Sequence, residues 1–139
     1  MMTALNETAK YVEQNTRNKI VFCHEDIDEI TFVNVGLILS QLLTNEKNIA
    51  NGYQLLCSNI LNFHLYNKEV GDYIAIENIG ILFEPELKLD LRNIIESFSR
   101  NSCLIIKSDA DIINDKYYFL TPDDSTEINL SGLSYKLIQ

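Results

Sequence analysis

Proline and glycine are scarce, two and five in 139 residues, and they do not gather into the Pro-, Gly- or Ser-rich stretches that mark linkers. Pro85 and Pro122 stand alone, with no internal repeat and no low-complexity segment between them. One continuous α/β domain spanning residues 1–139 is therefore expected. Cysteine is limited to Cys23, Cys57 and Cys103. An odd number without a C-x-x-C pair, set among apolar residues, argues against a disulfide framework and for a reducing cytoplasm. No apolar run approaches the roughly 18–20 residues that cross a bilayer, and the opening MMTALNETAKYVEQ is polar and periodic. Neither a membrane span nor a secretion leader is expected. Basic residues are also few. Eleven Lys and Arg against twenty Asp and Glu give a formal charge of −9 and a pI near 4.6, which disfavours binding along nucleic-acid phosphates. What the chain does have is 46% hydrophobic and 22% charged residues, the mixture of a compact soluble domain. A chain of this length buries about two-thirds of its unfolded surface.

Leu5, Ala9 and Val12 recur at helical spacing and predict a helix over Thr3–Asn15. Ile20–Cys23 reads as a buried strand, and the four acids from Glu25 to Glu29 in CHEDIDE repel one another into a solvated turn. Strand character returns over Ile30–Val35. Leu37, Ile38, Leu42 and Leu43 predict a helix ending in TNEKN, and the stripe Tyr53, Leu56, Ile60, Phe63 and Leu65 predicts a second, from Gly52 to about Tyr66. Both apolar faces are taken as core. Asp72–Ile81 and the run CLIIK at 103–107 have successive rather than alternating apolar residues, the mark of strands covered on both faces. Between them Leu89, Ile94, Ile95 and Phe98 line a helix that ends at Arg100–Asn101. Two β-rich runs, Lys116–Leu120 and Gly132–Ile138, flank the acidic turn TPDDSTE. This alternation predicts a three-layer α/β sandwich with a mostly parallel central sheet. The C-terminal runs would form a hairpin that extends it antiparallel.

Phosphate-binding loops need glycines and a lysine after the first strand, where this chain has CHEDIDE instead. His24, Glu25, Asp26, Asp28 and Glu29 offer metal-ligating atoms but lack the turn-making Gly and regular spacing of a cation loop, so a charged surface turn is the simpler reading. His64, alone among apolar and Asn residues, reads as structural. Adjacent strand residues Cys23 and His24 point to opposite faces, and the cysteines read as small buried hydrophobes. Glu86 and Lys88 match half of a nuclease Glu-x-Lys pair without the preceding Asp. An apolar strand ending in Glu77, followed by Asn78, has the arrangement in which a strand-end carboxylate reaches Mg²⁺. The next covered strand ends at Ser108 and Asp109, where a polar sensor would stand. Ser99–Asn101 places Arg100 as a basic finger or, more simply, as a helix C-terminal cation.

NVGLILSQLL and IENIGILFEPELKLDLRNIIESFSRNSCLII resemble the BrxF family of small P-loop proteins from bacterial BREX phage-exclusion systems. The likeness runs from about Ile30 to Ile106 and is most specific in ILFEPELK and SRN. It implies a phage-defence component with a P-loop-NTPase-like fold that would use ATP and Mg²⁺. It also implies a Walker-B-like role for Glu77 and Asn78, a sensor at Ser108 and a finger at Arg100. The family's Gly-Lys-Thr loop is missing from the matching stretch HEDIDEIT, which leaves these residues as remnants and ATP and Mg²⁺ as unexpected cofactors. The expected function is a non-catalytic accessory subunit of a defence complex, contacting other protein subunits or a second copy of itself, with Glu25, Asp26, Asp28 and Glu29 as the partner-binding turn. Neither nucleic acid nor membrane is an expected partner. The alternatives are an acidic toxin-neutralising or DNA-mimicking binder, motivated by the acid clusters at Glu25–Glu29 and Asp123–Glu127, and an ATPase with an atypical loop.

Overall fold

The computed structural model describes residues 3–14, 18–45, 56–57, 60, 64–83, 89–109, 111–118 and 127–138. The apolar run Ile20–Cys23 forms β1, buried at every position. Gly71–Glu77 forms β4 and Cys103–Lys107 forms β5, each with four successive buried residues. These three strands belong to one sheet in the order β2-β4-β5-β1-β9, where β2 is Val33–Asn34 and β9 is Tyr135–Ile138. All pairings along that path are parallel. Strand β3, Leu65–Asn67, joins the start of β4 antiparallel.

Both faces of the sheet are covered, as the unbroken apolar runs require. Ile20, Phe22, Ile74, Ile76, Leu104 and Ile106 face a core shared with helix α2 (Val35–Asn45), a 3₁₀ turn (Ile79–Phe83) and helix α3 (Leu91–Phe98). The alternate residues Val21, Cys23, Tyr73, Ala75, Cys103 and Ile105 face helix α1 (Ala4–Gln14) and the segment that follows β1. That segment is pinned by buried Ile27 and Ile30. An Ile30 N–H to Ile27 carbonyl bond closes its turn, so Asp28 and Glu29 project into solvent. The expected α/β architecture with a mostly parallel central sheet is present.

The C-terminal region departs from expectation. Lys116–Tyr118 (β7) and Tyr135–Ile138 do not form a hairpin on the main sheet. β7 instead lies between β6 (Asp111–Ile113) and β8 (Glu127–Asn129) in a separate antiparallel sheet. β6 and β7 meet at Asn114–Asp115, both with positive φ, the backbone that tight hairpin turns need. β9 runs parallel beside β1 because its residues serve both cores: Tyr135 and Leu137 pack on one face and Ile138 on the other. The helix expected to reach Tyr66 also stops short of it. Asn67 Oδ1 accepts from the Glu69 and Val70 N–H groups, forming a side-chain turn that leads into Gly71 at φ +89° and folds Leu65–Asn67 back onto β4. Within that expected helix Leu56 and Ile60 are buried, whereas Tyr53 and Phe63 lie outside the described residues. Leu39 of α2 is core, but Leu37 is exposed. No helix among the described residues is long and apolar enough to cross a membrane.

Candidate functional site at the carboxyl edge of the sheet

After β1 the chain crosses to β2 at the far edge, returns through β4 and β5, and then passes beyond β1 to β9. The order therefore reverses beside β1. In open parallel sheets, ligands bind outside the carboxyl ends of strands at such a reversal. The edge so defined carries His24 after β1, Lys107 and Ser108 at the end of β5, Glu77 and Asn78 at the end of β4, and Asn34 at the end of β2. Glu77 is in register with both Lys107 and Asn34. Of the sequence-predicted residues, Glu77, Asn78, Ser108 and the acidic turn thus share one end of the sheet.

Their side chains divide between the two faces. Lys107 alternates with Cys103 and Ile105 and so points toward the segment after β1. There its Nζ donates to Asp26 Oδ1 at 2.7 Å and lies 3.6 Å from Glu77 Oε1. The ammonium also sits 5.7 Å from the centroid of the Phe32 ring, close enough for a cation–π contact. Hydrogen bonding to Asp26, helped by the charges of Asp26 and Glu77, raises the Lys107 pKa above its ordinary value. Ser108 turns the other way, sharing a hydrogen bond between its hydroxyl and that of Tyr117. Tyr117 stacks on Phe22, with centroids 5.1 Å apart, and burial pushes its phenol up to about 12. Ser108 therefore reaches the predicted edge while its hydroxyl contacts the face opposite Glu77.

Asn78 acts as a fastener. Its Nδ2 donates to Asn34 Oδ1, and its carbonyl accepts the Gly36 N–H. Asn34 Oδ1 also accepts from the Leu37 N–H, capping α2. The start of α2 is thus engaged by two asparagines. His24 Nδ1 lies 2.9 Å from the Ser108 carbonyl oxygen. Because a carbonyl can only accept, the proton of this bond is on Nδ1. A cleft of about 370 Å³ opens beside it, between Ala4 at the start of α1, the strand ends Cys23 and Ile138, and the stretch His24–Ile27. Its lining mixes apolar Ala4, Ile27 and Ile138 with His24, Glu25 and Asp26.

Arg100 is not brought to this edge. It precedes β5, at the opposite end of the sheet, just beyond the helix whose C-cap is Ser99, and its guanidinium bonds Glu96 Oε1 at 2.9 Å. His64 is paired with the buried Ser102, 2.8 Å from Nδ1 to Oγ. Burial pushes the thiols of Cys23 and Cys103 up to about 12, which makes them poor nucleophiles at neutral pH. Asp109 is exposed. Glu86 and Lys88, and the second acid cluster except Glu127, lie outside the described residues. Among the described residues no three His, Cys, Asp or Glu side chains gather as a metal-binding group. Sequence reading missed Lys107 and Phe32. The only local signal was a lysine closing the apolar run CLIIK, because its partner Asp26 is 81 positions away. Searches of family models, curated proteins and solved structures return no match for this chain.

Proposed function

We propose that this chain is a non-catalytic accessory subunit of a bacterial phage-defence complex, a P-loop-NTPase-like fold without a working phosphate loop that acts in the cytoplasm through protein contacts. One observation carries the reading. Where a nucleotide's phosphates would need cations, the segment after β1 presents Glu25, Asp26, Asp28 and Glu29 to solvent, and the nearby Lys107 is already paired with two carboxylates. A triphosphate placed there would meet like charge at close range. The NTPase-like part is supported by the common edge that holds the end of β1, the end of β5 and, on the next strand, Glu77. The likeness of NVGLILSQLL and ILFEPELK to the BREX family motivates the biological setting.

The acidic turn and its cleft are the contact surface of this reading, suited to basic side chains of a larger subunit. Buried Ile27 and Ile30 hold the turn in place, so its charges can be reversed without disturbing the core. Isothermal titration with ATP and Mg²⁺ is the deciding experiment, with Glu77→Gln as control. No heat up to millimolar nucleotide is expected from either protein. Micromolar binding lost in Glu77→Gln would overturn the reading in favour of a nucleotide switch. In pull-downs from the host, reversing the charges of Glu25, Asp28 and Glu29 should reduce partner capture at least tenfold, while Glu77→Gln leaves it intact.

A further inference from the structure

A P-loop-like fold implies a Mg²⁺ ion near the strand-end acid, and the residues present can be tested for that ion. Magnesium is commonly held by one or two carboxylates at about 2.0–2.1 Å, with waters completing an octahedron. Glu77 and Asp26 do converge on one point, and that point is taken by Lys107 Nζ, 2.7 Å from Asp26 and 3.6 Å from Glu77. A divalent cation cannot share it, because two positive centres at contact distance repel strongly.

Lys107 is also held there by the fold. Its backbone is in register with Cys23 on one side and Glu77 on the other, so the Cα is fixed from both neighbouring strands. The ammonium lies by the Phe32 ring. A cation attached to the sheet acts at a high effective concentration that a free ion must exceed.

We infer that the Lys107 ammonium is a built-in substitute for the divalent ion of this corner, joining the segment after β1 to the ends of β4 and β5 and excluding metal from the Asp26–Glu77 pair. This rests on the reading of the corner as non-catalytic and adds how the corner is kept closed. Neutralising Lys107 should leave two carboxylates facing each other and uncover a divalent-cation site that the native chain does not offer.

The test is Mn²⁺ binding to the 139-residue chain, followed by water-proton relaxation. Five proteins are compared: the native chain, Lys107→Met, Lys107→Gln, Lys107→Met with Glu77→Gln, and Lys136→Met, which removes one charge from an exposed position of β9. Met keeps an apolar stem beside Phe32, and Lys107→Gln is run in parallel as a second neutral variant. The expected result is Mn²⁺ binding at least tenfold tighter in Lys107→Met and Lys107→Gln than in the native chain. Lys136→Met should match the native chain, and the gain should vanish when Glu77→Gln is added. Native-like affinity in both neutral variants, or a gain that survives Glu77→Gln, would overturn the inference. These results are independent of the nucleotide titration. Mg-ATP binding by the native chain would defeat the functional reading, whereas failure of both neutral Lys107 variants to gain Mn²⁺ would defeat only the role given to Lys107.

Discussion

A methyl group at Gly36 would overlap the side-chain amide of Asn78 and press on the carbonyl that accepts the Gly36 N–H. The glycine is there for that close approach, since Asn78 ties the end of β4 to the start of α2. Alanine favours a helix by about 1 kcal/mol over glycine, yet forcing volume into a packed contact costs about 1–3 kcal/mol. Gly36→Ala should therefore lower stability by up to about 2 kcal/mol in urea unfolding, against the direction of helix propensity. Asn78 has φ +55°, a conformation that glycine adopts without a Cβ penalty. Adding Asn78→Gly removes the clashing amide and should recover at least half of the loss. No recovery would mean that the clash is with the backbone carbonyl alone. In the sequence Asn78 is legible as the residue after a strand-end acid, and Gly36 only as part of a family likeness. The contact between them comes from a parallel pairing of β2 and β4 that local pattern does not encode.

Among the elements, α3 has only eight residues, too few to be stable alone in water. Its cap and its buried side therefore decide whether it forms. Asp90 accepts from the Asn93 N–H through Oδ1 and from Asn93 Nδ2 through Oδ2, and Ile94 and Ile95 enter the core. Asp90→Ala should cost about 1 kcal/mol, while Asp90→Asn, which keeps an acceptor, should cost much less; thermal unfolding distinguishes them. Elements of this kind were readable. β1, β4 and β5 are doubly covered and announce themselves as unbroken apolar runs, and α1 and α3 show an apolar face at helical spacing. β6 and β8 escaped because each is three residues long with exposed ends, so composition carried no period. β9 was seen as a strand but assigned to the wrong neighbour. Partner choice there depends on Tyr135, Leu137 and Ile138 each finding a face of the main sheet, which sequence separation hides. The acidic turn was read correctly as solvated, but its link to Lys107 spans most of the chain and had no local sign.

For the whole molecule, the two buried thiols and Tyr117 contribute to how stability responds to alkali. Cys23 and Cys103 rise from an ordinary 9.0 to about 12, and Tyr117 from 10.0 to about 12. Above pH 9 the unfolded chain loses these protons while the folded chain keeps them, so the unfolded state binds fewer protons and stability falls with rising pH. The contribution is fully present below pH 9 and lost as pH approaches 12. Unfolding midpoints in urea should fall steadily across that window, and Cys103→Ala should flatten the decline while lowering stability at neutral pH. A decline of equal slope in the variant would remove Cys103 from the explanation.

The place of β9 has a temporal consequence. β1 completes its hydrogen bonding only when Tyr135–Ile138 arrives beside Ile20–Cys23. During synthesis at about 5–20 residues per second, about 6–23 seconds separate the emergence of these two strands. Throughout that interval one side of the most buried strand has no native neighbour, a template for pairing with other nascent chains. Closing so long a loop is slow on entropic grounds. The late arrival of β9 thus makes the unfinished chain, rather than the finished fold, the form in which β1 is open to mispairing.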